Sequence, residues 1–215
     1  MTKKLKINIL LLFVISASFT FGQSHIGVFG GLNSSKLAGD SPSKAKYKSL
    51  MGANAGAYFD LKLGKSIWLS LQPSYSQEGT KVFYNVAGVE EPVDSIKIRL
   101  NYFSLPILLK VQSTSKRFYA LGGIEVGYLL DSFRSSNDVK EEITVSVSEF
   151  NMAAHFGAGF RIPIGFTRLF IELRYTQGVY NLTDDPIDKS IIPRVKTTGF
   201  KILTGIEIPL KKSVH

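Results

Sequence analysis

The sequence predicts an all-β protein: an eight-stranded antiparallel up-and-down transmembrane β-barrel with long extracellular loops and short periplasmic turns. Three observations predict it. Eight segments alternate apolar residues with small or polar ones at a period of two, as strands with one greasy face do. The connections between them run long, short, long, short, long, short, long, the pattern of barrels that cross an outer membrane. Nothing after the first 22 residues has a helical period.

The clearest segment is Tyr102–Val111, with Phe103, Leu105, Ile107, Leu109 and Val111 on one side and Tyr102, Ser104, Pro106, Leu108 and Lys110 on the other. About ten tilted residues of this kind cross a hydrocarbon layer. Pro106 sits badly in a strand interior and requires a bulge or a lost ladder bond.

At 215 residues the chain is one domain preceded by a targeting segment. Lys3, Lys4 and Lys6 precede an apolar run from Ile7 to Phe19, and Thr20 and Gly22 stand at −3 and −1 before Gln23. Residues 1–22 therefore read as a cleaved signal peptide and residues 23–215 as the outer-membrane barrel domain. Cleavage would lower the formal net charge from +9 to +6 by removing three lysines. An exported chain with scattered cations does not point to nucleic acid, so outer-membrane lipid or a surface polysaccharide is the expected partner. The chain has no cysteine, which excludes disulfides, thiol catalysis and N-terminal lipidation.

The strands follow in order. The first, Ser24–Asn33, points Ile26, Val28, Gly30 and Leu32 one way. A lysine-rich loop, Ser34–Met51, leads to the second, Gly52–Leu63, whose faces hold Ala53, Ala55, Ala57, Phe59 and Leu61 against Asn54, Gly56, Tyr58, Asp60 and Lys62. Gly64-Lys65-Ser66 is a tight hairpin turn. The third strand, Ile67–Gln77, sets Leu69, Leu71, Pro73 and Tyr75 against Ser70, Gln72, Ser74 and Ser76. A polar loop, Glu78–Lys97, precedes the strand around Tyr102–Val111, which can start as early as Ile98, and Gln112–Lys116 is short. The fifth strand, Arg117–Leu130, sets Phe118, Ala120, Ile124, Val126 and Tyr128 against Tyr119, Leu121, Gly123, Glu125 and Gly127. Asp131–Glu149 is the third long loop, with Ile143–Val147 expected to extend a strand. The sixth, Phe150–Ile162, sets Met152, Phe156 and Phe160 against His155, Gly157, Gly159 and Arg161. After the turn Pro163–Thr167, the seventh, Arg168–Tyr180, sets Leu169, Ile171, Leu173 and Tyr175 against Phe170, Glu172, Arg174 and Thr176. The long loop Asn181–Lys196 precedes the last, Thr197–Leu210, with Phe200, Ile202, Ile206 and Ile208 against Lys201, Leu203, Gly205 and Glu207.

Eight alternating strands also suit a soluble barrel with its apolar face inward. The opposite faces decide against it. Gly56, Gly123, Gly127, Gly157, Gly159 and Gly205 would make a poor solvent surface, but inside a narrow barrel they make room for Tyr58 and Tyr119. The apolar faces also end in aromatics suited to membrane interfaces: Tyr75, Phe103, Tyr128, Tyr175 and Phe200 towards the loop rim, Phe118 and Phe160 towards the turn rim. The lumen then holds Asp60, Lys62, Lys110, Glu125, Arg161, Glu172, Arg174, Lys201 and Glu207. Charges there must be paired, as the mixed signs of Glu172 and Arg174 beside Lys201 and Glu207 permit. A salt-bridge plug that locks register is the structural reading, and a proton or solute path or a gate is the functional one.

Several stretches are similar to one family. Tyr102-Phe103-Ser104-Leu105-Pro106-Ile107-Leu108-Leu109-Lys110 resembles the aromatic-x-x-I/L-P-L-L-L-K strand of the PorT-like outer-membrane β-barrel family. Leu121–Gly127, Leu173–Gly178 and Gly199–Leu210 also resemble it, so the resemblance covers Gln23–Leu210. It implies a non-enzymatic barrel acting through its loops on a partner, as an accessory in secretion or envelope maintenance. Lys211-Lys212-Ser213-Val214-His215 departs from the aromatic ending of many such barrels.

No catalytic, cofactor or metal motif is found. His25, His155 and His215 are dispersed, and His155 is expected inside the barrel as a neutral, hydrogen-bonded imidazole. H-E-x-x-H and a phosphate-cradling glycine loop are both absent. Glu90-Glu91 and Asp184-Asp185 are the acidic loop pairs a rim enzyme would need. A narrow channel for ions or small solutes is the main alternative to a loop-binding barrel, and nothing in the sequence sets an oligomeric state.

Overall fold

A computed structural model describes residues 24–39, 45–84, 94–136, 139–142, 148–179 and 195–210. The described strands are β1 (Ser24–Gly39), β2 (Ala45–Lys62), β3 (Ile67–Leu71), β4 (Ser74–Tyr84), β5 (Asp94–Gln112), β6 (Phe118–Ser136), β7 (Val139–Glu142), β8 (Phe150–Ile164), β9 (Thr167–Gly178) and β10 (Val195–Leu210). All pair antiparallel. β3 and β4 both lie between β2 and β5, so they form one stave, while β7 pairs only with the upper end of β6. β10 closes on β1 and β5 on β6, giving a ring of eight staves. Closure leaves the ring of eight staves without a free edge, as a sheet surrounded by lipid requires.

The period of two sorts the faces. Val28 is 62% exposed, Phe156 61% and Ile171 54%, whereas Leu108 and Leu203, on the other face, are 0% and 1% exposed. The apolar face looks outward to lipid. The small turn-rim connections match the sequence expectation. Gly165-Phe166 is a two-residue turn between Ile164 and Thr167, and Gly165 has φ +58°, as a type II′ hairpin needs at its first position. In the Ser113–Arg117 turn, Lys116 takes the left-handed conformation with φ 59°.

The long connections require correction. Much of what reads as loop is paired strand: β1 runs to Gly39, β2 starts at Ala45, β4 runs to Tyr84, β5 starts at Asp94 and β6 runs to Ser136. The physical reason is that above the membrane the outer face meets water while the inner face stays packed, as at Thr80, Val82, Leu100 and Ser132, so pairing continues after the apolar alternation ends. The strand extension expected at Ile143–Val147 lies outside the described residues; the strand found in that connection is β7.

Pro106 is also resolved. β5 passes through it without a bulge, and its ladder irregularity against β6 lies at Asn101/Tyr102. Pro106 is buried on the inner face and accepts a 3.0 Å bond from the Gln72 N–H. It has no N–H to return, so half of that rung is missing. One position along the neighbouring stave, Pro73 accepts a 3.1 Å bond from the Ala57 N–H and again returns none. Two half-rungs side by side separate β3 from β4 while the register with β5 stays constant on either side.

The aromatic belt is a cross-strand row. Tyr75 faces Phe103, Phe103 faces Tyr128 and Tyr128 faces Phe150 across four staves. Tyr175 faces Phe200, with ring centroids 5.3 Å apart. At the other rim Phe118 and Phe160 pack at 4.8 Å.

Candidate functional site

The candidate site is the filled lumen. Its side chains come from the inner-face positions of all eight staves, and they form three levels.

At the turn rim, Asp60 accepts from Lys110 Nζ at 3.1 and 3.2 Å and from Arg161 Nη2 at 3.3 Å. Glu207 lies 2.9 Å from Arg161 Nε, accepts from the Tyr58 hydroxyl at 3.1 Å and accepts from Arg168 Nη1 at 3.0 Å. His25 Nδ1 is 3.0 Å from Glu207 Oε1, at an angle outside hydrogen-bond geometry, and its ring stacks on Trp68 at 4.3 Å. Lys110 stands 4.7 Å from the Tyr58 ring and Arg161 4.4 Å from the Tyr119 ring. Lys62 is half-buried beside this level, with its ammonium 5.9 Å from the Trp68 ring.

At mid-height, Glu172 is paired with Arg174 and accepts from the Tyr119 hydroxyl at 2.7 Å. Arg174 also donates to Gln72. Phe29, Tyr58, Phe170 and Leu203 make one apolar layer, and Leu108, Tyr119 and Leu121 another. Towards the loop rim, Lys201 donates to Glu125 at 3.2 Å, stands 3.5 Å from Glu78 and reaches Ser76 at 3.4 Å. His155, fully buried, has Nε2 3.2 Å from Glu125 Oε2.

Glycine makes the room for this packing. A Cβ on Gly159 would lie 2.2 Å from the Tyr119 ring and one on Gly27 2.5 Å from the Tyr58 ring. Both tyrosines could not then reach their carboxylates.

A family model for the outer membrane protein beta-barrel domain matches residues 16–184, more than half of the chain. The chain belongs to that family. Several solved structures are similar to it. Ail, the attachment invasion locus protein of Yersinia pestis, is 18% identical, with a TM-score of 0.48, covering 88% of this chain and all 100% of its own. Neisserial surface protein A is 9% identical, TM-score 0.47, covering 85% and 96%. OprG from Pseudomonas aeruginosa is 12% identical, TM-score 0.44, covering 89% and 97%. No curated protein matches the chain.

In this outer-membrane barrel, eight of the nine sequence-expected lumen charges are buried, namely Asp60, Lys110, Glu125, Arg161, Glu172, Arg174, Lys201 and Glu207, and Lys62 is at the rim. Their partners differ from the simplest expectation. Lys201 stands directly opposite Arg174 on the neighbouring strand, so it pairs with Glu125 across the lumen instead. Arg161 on β8 likewise reaches Asp60 on β2. Sequence reasoning missed Glu78, Arg168, Gln72 and His25 as network members. Parity would have found them: Glu78 continues Ser74 and Ser76, and Arg168 precedes Phe170 and Glu172 at the same spacing.

Among the described residues, donor atoms of His25, Asp60 and Glu207 lie within 4.8 Å of one another. Lys110, Arg161 and Arg168 already contact those carboxylates, so the volume a cation would enter is lined with positive charge. That donor set does not suit a divalent ion. Glu90-Glu91 and Asp184-Asp185 lie outside the described residues.

Proposed function

We propose that this protein is a closed, non-enzymatic outer-membrane barrel that acts through its long-loop rim, binding a partner as an accessory in secretion or envelope maintenance, in the manner of PorT-like proteins. Residues 1–22 are its signal peptide and residues 23–215 its barrel domain in this reading. The observation that carries it is the set of ties across the lumen. Arg161 joins opposite walls through Asp60, and Lys201 does so through Glu125. Between those levels, Tyr58, Leu108, Tyr119, Phe170 and Leu203 fill the section. Such an interior carries no solute without breaking several buried ion pairs, each costing about 3–5 kcal/mol when one partner is lost. The described histidines and most lumen carboxylates are likewise committed to one another or to buried cations, away from any envelope substrate. What remains available for recognition is the extended rim built by β1–β2, β4–β5 and β6–β7.

The experiment is site-specific photo-crosslinking from the exposed rim positions Lys36 and Arg134 in intact cells. A discrete protein adduct from either position is expected. Barrels recovered only as uncrosslinked monomer, from both positions, would contradict a partner-binding role.

A further inference from the structure

The outer face above the aromatic belt has an arrangement that packing does not explain. Lys48 on β2 stands directly opposite Lys81 on β4, and Lys81 directly opposite Lys97 on β5. Directly opposed residues of an antiparallel sheet point to the same side, so three ammonium groups lie side by side. Register from Tyr75–Phe103 to Lys81–Lys97 is unbroken, which puts the row on the lipid-side face. Arg99, two residues from Lys97, and Lys46, two from Lys48, share that face. Among the described side chains, none of these five has a carboxylate within ion-pair distance. Asp131, the described acid closest to Arg99 in register, is taken by the Asn101 amide.

Like charges directly opposite destabilise a sheet. Here one Lys48 ammonium is held over the Phe83 ring at 4.5 Å, keeping it against the wall instead of letting it swing away. The height is informative. Six residues separate Phe103 from Lys97, and at about 3.3 Å per residue with a tilt near 40° that is roughly 15 Å above the belt. A phospholipid phosphate lies at the belt itself, within the thin headgroup layer. An anion at the lysine row belongs to a taller headgroup, and Arg99 would meet its lower part.

We propose that the outward face of β2, β4 and β5 is a docking site for a phosphorylated glycolipid of the outer leaflet, with Lys48, Lys81 and Lys97 binding its anionic headgroup. The glycolipid acyl chains lie along the apolar wall below, and its phosphates offset the repulsion built into the row. The row lies on the outer flank of the rim proposed to bind a partner, but it follows from register and charge and does not rest on that reading.

The test uses the full barrel reconstituted in phosphatidylcholine vesicles, alone or with phosphatidylglycerol, core-phosphorylated lipopolysaccharide or inorganic phosphate. Lipid retained per barrel is read by native mass spectrometry, and thermal stability by heat-modifiable mobility. The wild type is expected to retain the lipopolysaccharide and to gain thermal stability from it, but not from phosphatidylglycerol or inorganic phosphate. The K48Q/K81Q/K97Q variant should bind the lipopolysaccharide at least tenfold more weakly, yet melt higher than wild type in phosphatidylcholine alone, because the repulsion is gone. Lys81→Gln alone should move both readouts in the same directions, and Lys65→Gln at the turn rim should move neither. Undiminished lipopolysaccharide retention by the triple or single variant would overturn the proposal, as would equal stabilisation of the wild type by phosphatidylglycerol or inorganic phosphate.

Discussion

Arg161 shows at the scale of one residue how the lumen is held. Its guanidinium meets Glu207 at 2.9 Å and Asp60 at 3.3 Å, and lies over the Tyr119 ring at 4.4 Å. Each contact comes from a different strand, so one side chain spans the barrel. Asp60 in turn serves Lys110 as well as Arg161. Asp60→Leu therefore strands two buried cations and should destabilise the folded barrel by about 3–5 kcal/mol. Adding Lys110→Met should recover part of that loss, because one orphaned charge disappears with it. Urea unfolding in lipid vesicles measures both, and an Asp60→Leu barrel as stable as wild type would remove the pairing from the account. Gly159→Ala tests the packing beside it. The added methyl meets the Tyr119 ring, and overpacking of this kind costs about 1–3 kcal/mol. At the surface, Lys116 holds a left-handed backbone conformation at φ 59°. Lys116→Gly should raise stability by up to about 1 kcal/mol in the same unfolding assay, since that conformation strains every residue with a Cβ.

At the scale of the element, β5 carries both the most legible and the least legible features. Its membrane-spanning half was legible in the sequence because lipid on one side and a packed lumen on the other enforce strict alternation. Its upper end, from Asp94 to Lys97, was not, because water on the outer face removes the apolar requirement while the ladder continues. The same physics hid the ends of β1, β2, β4 and β6. The lumen charges were legible for the first reason: parity put Glu125, Arg174 and Lys201 inside. Their partners were not, since a period of two assigns a face and says nothing about what stands across the lumen. Glu78 was lost with the upper half of β4. Pro106 costs β5 one donor, and the cost is confined to a single half-rung with Gln72. Pro106→Ala should restore it. Hydrogen exchange would then show a protected amide at that position, whereas rapid exchange there would mean that the strands part at this point.

At the scale of the whole molecule, eight staves close around an interior that is itself tied from wall to wall. The outer surface is apolar between two aromatic rows, and the long-loop rim rises above it on extended hairpins. On the proposed reading, this arrangement leaves stability to the lumen and recognition to the rim. It makes a plain statement about transport, which single-channel recording in planar bilayers tests most directly. The purified barrel, inserted at neutral pH, should show no conductance steps. Regular, reproducible steps from the wild-type protein would contradict the closed lumen and put the channel alternative ahead of the loop-binding reading.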